Sequence, residues 1–282
     1  MTAWIIYQDK DAKKNKAYIE RFTAEAQTYG VTLSCVLLED LFPDLHQLPE
    51  NKLFEELPDF VINRSRSGKA AAYFESNNCR VFNPAVVSSI CNDKMLTYQL
   101  AARHHIPMME TCYTQEDAFS LGFPLVVKPA CGHGGHLVSY VRNADELISI
   151  INQIHADYGL NCHIIYQKCA SDPARDLRVY LLNKKILACM LRQGNDKADI
   201  RSNYSLGGQA KQVSLSSEEE RLVFQIAELL PFDCVGIDFI YHMGHPIFNE
   251  IEDAVGARML YAHTDIDIVS SYMKYIYESM NS

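Results

Sequence analysis

The sequence predicts an α/β chain with an α+β second half: an open α/β layer first, then a region built from hairpins and helices. Two observations predict this. Over the first ~90 residues short apolar strands alternate with amphipathic helices, the pattern of a parallel sheet covered by helices. Beyond that point pairs of apolar strands stand close together around turn signals, at Asn183-Lys184 and at Met243-Gly244-His245-Pro246, as antiparallel hairpins do.

The elements follow in order. Ala3–Gln8 reads as an apolar strand. Ala12–Tyr29 reads as one helix, with Ala17, Ile19, Phe22 and Ala26 at helical spacing and Gly30 as its C-terminal cap. Val31–Leu38 and Asp59–Asn63 are strands, Lys69–Glu75 a short helix, and Arg80–Phe82 a fourth strand ending at Asn83-Pro84. No G-x-G-x-x-G motif occurs, so a dinucleotide-binding reading gains no support. Asp93–His104 is a helix with Asn92 or Asp93 as its N-cap. Leu125–Pro129 is a buried strand, followed by a glycine-rich loop and a strand over Leu137–Tyr140. Then come a helix over Asp145–Asp157, a strand over His163–Gln167 and a hairpin of Asp176–Leu182 with Lys185–Leu191. A helix over Glu218–Leu230, a second hairpin of Gly236–Tyr241 with Ile247–Ile251, and a helix over Asp265–Glu278 complete the chain.

Composition narrows the function classes. The 282 residues are 48% hydrophobic and 22% charged, as in a soluble globular chain, and suffice for one to three compact units. No apolar run reaches the roughly 20 residues of a membrane span. The start, MTAWIIYQDK, lacks the basic opening of a signal peptide. A net charge of −9 argues against a general nucleic-acid binder. Nine cysteines without a C-x-x-C fit neither a zinc framework nor a disulfide scaffold, and a reducing cytoplasm is the expected setting.

The second hairpin carries acids in an otherwise apolar setting. Met243-Gly244-His245-Pro246 reads as its turn, with Pro246 in the loop because it cannot donate to a ladder. A loop over His242–Pro246 sets Asp238 opposite Glu250, and period-two alternation puts Glu252 on the same face. Ile237, Phe239, Ile247 and Ile251 form the other, core face. Like charges set opposite each other destabilise a sheet, and a divalent cation bound by carboxylate oxygens removes the conflict. A solvated acidic face without a ligand fits the same residues.

Other stretches carry chemistry in weaker form. Gly132, Gly134 and Gly135 lie between two strands, where exposed backbone N–H groups suit a phosphate. A flexible hairpin tip reads the same way. Lys128 ends the strand before that loop and can place a point charge on phosphate, or reach for water. Lys94 sits in the first turn of a helix, where a cation opposes the dipole. Cys131, His133 and His136 lack a visible third partner for nucleophilic or metal chemistry. Arg175, Arg178, Arg192 and Arg201 stand in the C-terminal half, suited to bidentate capture of carboxylate or phosphate, or to surface ion pairs. Arg201 is followed by Ser202, Asn203 and the pair Gly207-Gly208.

In this order the motifs resemble the ATP-grasp superfamily, and within it the RimK-like carboxylate–amine ligases. The matching stretches are NDKMLTYQLAARHHIP (Asn92–Pro107), FPLVVKPACGHGGHLV (Phe123–Val138), IIYQKC (Ile164–Cys169), RDLRVYLLNKKILACMLRQ (Arg175–Gln193), IRSNYSLGGQA (Ile200–Ala210) and GIDFI with FNEIEDAVG (Gly236–Gly256). The resemblance implies an ATP-grasp fold behind an N-terminal α/β domain: units at 1–83, 84–170 with the glycine-rich lid, and 171–282 with a metal site. It implies that Lys94 and Lys128 contact ATP phosphates under the loop of Gly132, Gly134 and Gly135. Gln167, Lys168 and Cys169 would form the adenine hinge. Asp238, Glu250 and Glu252 would hold magnesium, or manganese in its place. Arg192, Arg201 and Asn203 would flank the transferred phosphate and the acid. The implied reaction joins a small carboxylate to an amine through an acyl phosphate and releases ADP. Neither nucleic acid nor membrane takes part, and a homo-oligomer is compatible. The family usually has Asn where this chain has Glu252, and the following Asp253–Arg258 stretch also departs from it, so a glutamate-adding activity does not follow. The rival readings are a nucleotide-binding regulatory protein without chemistry and a Cys–His hydrolase using Cys131.

Overall fold

The computed structural model describes residues 1–44, 54, 56–193 and 209–282. The chain opens with β1 (Thr2–Tyr7), α1 (Asp9–Lys14), α2 (Lys16–Thr28), β2 (Thr32–Leu37), α3 (Leu38–Leu41), β3 (Phe60–Asn63), α4 (Gly68–Ser76) and β4 (Arg80–Phe82). The four strands form a parallel sheet in the order β2-β1-β3-β4. Alternation along β1 sorts the two faces. Ala3, Ile5 and Tyr7 meet Phe22 and Ala26 of α2, whereas Ile6 joins Val61, Val81 and Phe74 on the other side. The helix predicted over Ala12–Tyr29 is broken in two at Asn15. There the Asn15 side chain donates to the Asp11 carbonyl at 2.7 Å and competes with the helical ladder. Gly30 does end the second piece, at φ +67°.

Next come α5 (Ala85–Cys91), α6 (Lys94–Arg103), β5 (Thr111–Cys112), α7 (Gln115–Leu121), β6 (Leu125–Pro129), β7 (Ser139–Val141), α8 (Ala144–Tyr158) and β8 (Ile164–Lys168). Their strands form an antiparallel sheet in the order β5-β8-β6-β7, with α8 packed on it through Leu147, Ile150, Ile151 and Ile154. β7 starts later than predicted, because Leu137 sits at φ +54° outside strand geometry.

The remainder is β9 (Asp172–Leu182), β10 (Lys185–Gln193), β11 (Gln209–Gln212), α9 (Ser217–Ala227), β12 (Cys234–His242), β13 (His245–Glu252), α10 (Arg258–His263) and α11 (Ile268–Met280). The strands form one antiparallel sheet, β11-β10-β9-β12-β13. A capping box of Ser216 and Glu219 starts α9, whose Leu222, Val223 and Ile226 cover one face. The other face shares a core with the first sheet: Tyr180, Leu182 and Met190 pack in one cluster with Ile5, Phe60, Phe82 and α11. The third sheet is therefore clamped between α9 and the N-terminal layer, and its β12–β13 edge faces the second sheet.

The β12–β13 hairpin corrects two readings. Its turn is only Met243-Gly244, both at positive φ, and Pro246 lies inside β13 opposite Tyr241. Pro is tolerated there because β13 is the edge strand and its missing N–H leaves no partner wanting. The core face is Ile237, Phe239, Phe248 and Ile251. Ile247, predicted on that face, pairs with Ile240 on the opposite one.

Candidate active site

Three rows of polar side chains meet at the edge of the third sheet. Asp238 of β12 lies directly opposite Arg178 of β9 on one side and Glu250 of β13 on the other. Glu252 pairs with Gly236 one row along. A Cβ at Gly236 would stand 2.6 Å from Val255 Cγ2, so only glycine lets the chain after Glu252 fold down against β12. Ligand atoms of Asp238, Glu250 and Glu252 all lie within 4.8 Å of one another.

Cations surround these acids. Arg178 grips Asp238 with both ends of its fork, Nε to Oδ1 at 2.7 Å and Nη2 to Oδ2 at 2.6 Å, and also donates to Glu252 Oε1 at 2.7 Å. Arg192 donates to Asp238 Oδ2 at 2.8 Å and to Asp176, directly opposite it on β9. Lys94 Nζ lies 3.6 Å from Glu250 Oε2. Asp238 is 1% exposed, and burial alone opposes its charge, but Arg178 and Arg192 outweigh burial and hold the carboxyl below its usual range. For Glu252 the balance reverses. Burial comes first, Arg178 opposes it, and Asp238 with Glu250 add repulsion, so its carboxyl is pushed up.

The second sheet supplies the facing wall. Lys94 opens α6, whose N-cap is the Asp93 carboxylate, and its backbone N–H donates to Ala130 O at 2.9 Å. That bond brings the helix start against the end of β6, where Lys94 Nζ meets the Gly132 carbonyl. Lys128 is 6% exposed and donates to Tyr98 Oη at 2.6 Å and Gln167 Oε1 at 3.2 Å. Burial lowers its pKa to about 8, although Glu250 works the other way. The Tyr98 hydroxyl donates in turn to the Asn249 carbonyl at 2.7 Å, and Gln167 donates to Thr111 Oγ1 at 2.9 Å.

Both walls enclose one cleft. Lys94, Lys128, Gly132, Gly134, Gly135, Gln167 and Lys168 line it from the second sheet and its loop. Asp176, Arg192, Asp238, Ile240, Asn249, Glu250 and Glu252 line it from the third. Gly134 and Gly135 take φ +65° and +78°, so the loop needs glycine at both positions. Cys169 is the exception among the predicted hinge residues. It lines a neighbouring groove with Met108 and Ile247, and its thiol meets the Pro124 carbonyl at 3.5 Å. Arg201 and Asn203 lie outside the described residues. Arg175 stacks on the Tyr241 ring at 3.8 Å, and His136 bonds Asp157 at 2.9 Å.

The donor set fits a divalent cation. All three acids offer hard carboxylate oxygens into the cleft, close enough together for one ion. Lys94 and Lys128 stand across from them, and the glycine loop leaves backbone close to the same space. Sequence reasoning missed Asp176, Tyr98 and Asn249 and gave Arg178 no position. The alternation in RDLRVYLL, polar at Asp176 and Arg178 and apolar at Leu177 and Val179, carries the signal for two of them.

Comparisons with known proteins give the family and the fold. The family profile described as the RimK-like ATP-grasp domain matches residues 91–276. The chain is 27% identical over 224 residues to a protein of Sulfolobus acidocaldarius named glutamate–LysW ligase ArgX, covering 76% of this chain and 79% of that one. It is 29% identical over 211 residues to a probable alpha-L-glutamate ligase of Maridesulfovibrio salexigens, covering 72% and 69%. Among solved structures, D-alanine–D-alanine ligase from Bacillus anthracis complexed with ATP superposes with a TM-score of 0.73 at 17% identity, over 100% of this chain and 97% of that one. A RimK domain ATP-grasp protein from Sphaerobacter thermophilus gives 0.71 at 17% identity, over 97% and 98%. At such identities these structures establish the fold.

Proposed function

Since the chain belongs to the RimK-like ATP-grasp family, we propose that it is an ATP-dependent ligase that joins a small carboxylic acid to an amine and releases ADP and phosphate. The observation that carries this reading is the facing of Asp238, Glu250 and Glu252 against Lys94 and Lys128 across one cleft roofed by Gly132, Gly134 and Gly135.

Each residue has a task in that reaction. Lys128, buried and oriented by Tyr98 and Gln167, presents a fixed charge to nucleotide phosphate. Lys94 adds a second charge from the helix start and reaches the loop carbonyl of Gly132. Asp238, Glu250 and Glu252 are the residues that would hold magnesium or manganese. Such an ion, when bound, offsets the negative charge of the triphosphate. Gln167 and Lys168, which line the cleft, are the hinge that would meet the base. Arg192, held by Asp176 and Asp238, keeps a guanidinium beside the transferred phosphoryl group and the acid. Arg201 and Asn203 join this set on sequence grounds.

The acid's carboxylate oxygen attacks the γ-phosphorus, forming an acyl phosphate and ADP. The amine nitrogen then attacks the acyl carbon, expels phosphate and releases one proton to the departing phosphate or to water. Positioning and charge neutralisation suffice, and no covalent bond to the protein is needed. The three sheets fall within 1–83, 84–170 and 171–282, which supports a division into three units. No described helix is long and apolar enough to cross a membrane.

The test is incubation with ATP, magnesium and mixed libraries of acids and amines, followed by mass spectrometry. The reading predicts a condensed product with ADP formed in equal amount, dependent on both partners. AMP as the nucleotide product, or ADP binding without product from any pair, would overturn it.

A further inference from the structure

Cys131 and Cys162 stand apart from the cleft residues and close to each other. Their sulfurs are 3.8 Å apart. This proximity follows from the sheet. β6 and β8 pair antiparallel from Leu125↔Lys168 to Pro129↔Ile164, and the Ala130 N–H donates to the His163 carbonyl at 2.9 Å, extending the ladder by one pair. The next pair in that register is Cys131 with Cys162. Residues facing each other across antiparallel strands have Cα atoms about 4.5–5.5 Å apart, within the roughly 4.4–6.8 Å that a disulfide spans. Cys131 is exposed and Cys162 partly so, which leaves the pair open to a small reagent.

We propose that Cys131 and Cys162 form a reversible disulfide that fixes the root of the glycine-rich loop. The oxidant is a small-molecule disulfide. The Cys131 thiolate attacks one of its sulfurs and releases one thiol. Cys162 then gives up its proton, attacks the Cys131 sulfur and releases the second thiol. Two protein thiols lose two electrons and two protons, and one external disulfide becomes two thiols. Cys131 is the more exposed of the two thiols, and burial pushes the Cys162 thiol up, so Cys131 is the residue that starts the exchange.

The bond acts on the loop through its position. Ala130 is already held on both sides, by His163 and by the Lys94 N–H at 2.9 Å. Cys131 is the last residue before Gly132, whose carbonyl meets Lys94 and which lines the cleft. A crosslink at Cys131 carries the anchorage up to the first glycine and removes freedom from the loop's N-terminal arm. Its effect on nucleotide exchange rests on the ligase reading; bond formation and loop restraint do not.

The experiment treats the reduced full-length protein with glutathione disulfide, then maps alkylated peptides. The same samples go to hydrogen exchange and to ADP-release measurements. The expected result is a Cys131–Cys162 crosslink reversed by dithiothreitol, with amide exchange over residues 132–138 slowed at least about threefold and ADP release slowed with it. In Cys162→Ser, Cys131 should stop at the mixed disulfide and the loop should exchange as in the reduced protein. Two results would overturn the proposal: no Cys131–Cys162 crosslink while the exposed Cys35 takes up glutathione, or a crosslink that leaves loop exchange unchanged. If the reduced protein binds no ADP, the ligase reading fails while mapping and exchange still decide this one.

Discussion

Asp238 faces Glu250 across the β12–β13 hairpin because Asn249 is an extra residue on the β13 side. From the turn, pairs run in one register up to Phe239↔Phe248, then slip by one so that Asp238 meets Glu250. Without the slip Asp238 would face Asn249, and Glu250 and Glu252 would turn toward the core side with Phe248. Tyr98 holds the bulge by donating to the Asn249 carbonyl at 2.7 Å and also accepts from Lys128.

Replacing Tyr98 by Phe should therefore damage two walls at once. The half-buried Asn249 carbonyl loses its donor and the buried Lys128 loses an acceptor, at a cost of about 1–3 kcal/mol in stability. ADP affinity should fall as well. Urea unfolding and calorimetric titration check both, and a variant matching the parent in each would remove Tyr98 from the account.

Arg178 neutralises two acids with one guanidinium. Its side chain is 10% exposed and bonded to both Asp238 and Glu252. Arg178→Met should cost about 3 kcal/mol, because the buried Asp238 carboxylate loses its bidentate partner and keeps only Arg192. Added magnesium should raise the melting temperature more in the variant than in the parent protein. Equal shifts in the two proteins would mean that the acids do not share a cation.

Lys128 gives nucleotide binding a pH dependence. Burial brings its pKa from 10.5 to about 8. The charged form is therefore disfavoured by folding, and that cost is present below about 8 and fades as pH rises toward 10.5. Phosphate binding runs the other way and needs the proton. ADP affinity should drop as pH rises through 8, by up to about tenfold per unit. Lys128→Arg keeps its charge and should flatten the profile between pH 7 and 9.5, whatever its affinity. An equally steep profile in that variant would assign the dependence to another group.

Asp233 gives folding a separate pH dependence. It accepts from Tyr275 Oη at 2.6 Å and Arg80 at 3.1 Å, yet burial dominates and raises its pKa from 3.8 to about 6. The folded state binds this proton more tightly than the unfolded state. The stabilisation is complete below about 3.8 and is lost as pH rises to 6, by up to roughly 3 kcal/mol. Asp233→Asn should lack that slope, which chemical unfolding at pH 4, 5 and 6 would read directly. Parallel curves for the two proteins would contradict the assignment.

The hairpin's acids were legible because period-two alternation marks a face whatever the turn. The bulge was not, because a longer loop without a bulge and a two-residue turn with one give the same Asp238–Glu250 pairing. The two differ only in whether Ile247 or Phe248 is core, and both are apolar. The strand at Leu125–Pro129 was legible since an unbroken apolar run meets Lys128 and a proline. α5, α7 and α10 are too short to show a helical period, and went unseen. Tyr98 lies one helical turn beyond Lys94 on α6, but nothing in sequence says that its hydroxyl reaches another strand's bulge. Arg178 and Arg192 read as a loose series along the chain, and only the strand order β10-β9-β12 brings both to Asp238.

The most direct measurement is a manganese titration followed by electron paramagnetic resonance, in the presence of ADP, on the parent protein and Glu250→Gln. Manganese stands in for magnesium at carboxylate sites. The account predicts nucleotide-dependent manganese binding in the parent and its loss, by at least about tenfold in affinity, in the variant with an unchanged circular dichroism spectrum. Equal manganese binding by the two proteins would contradict it.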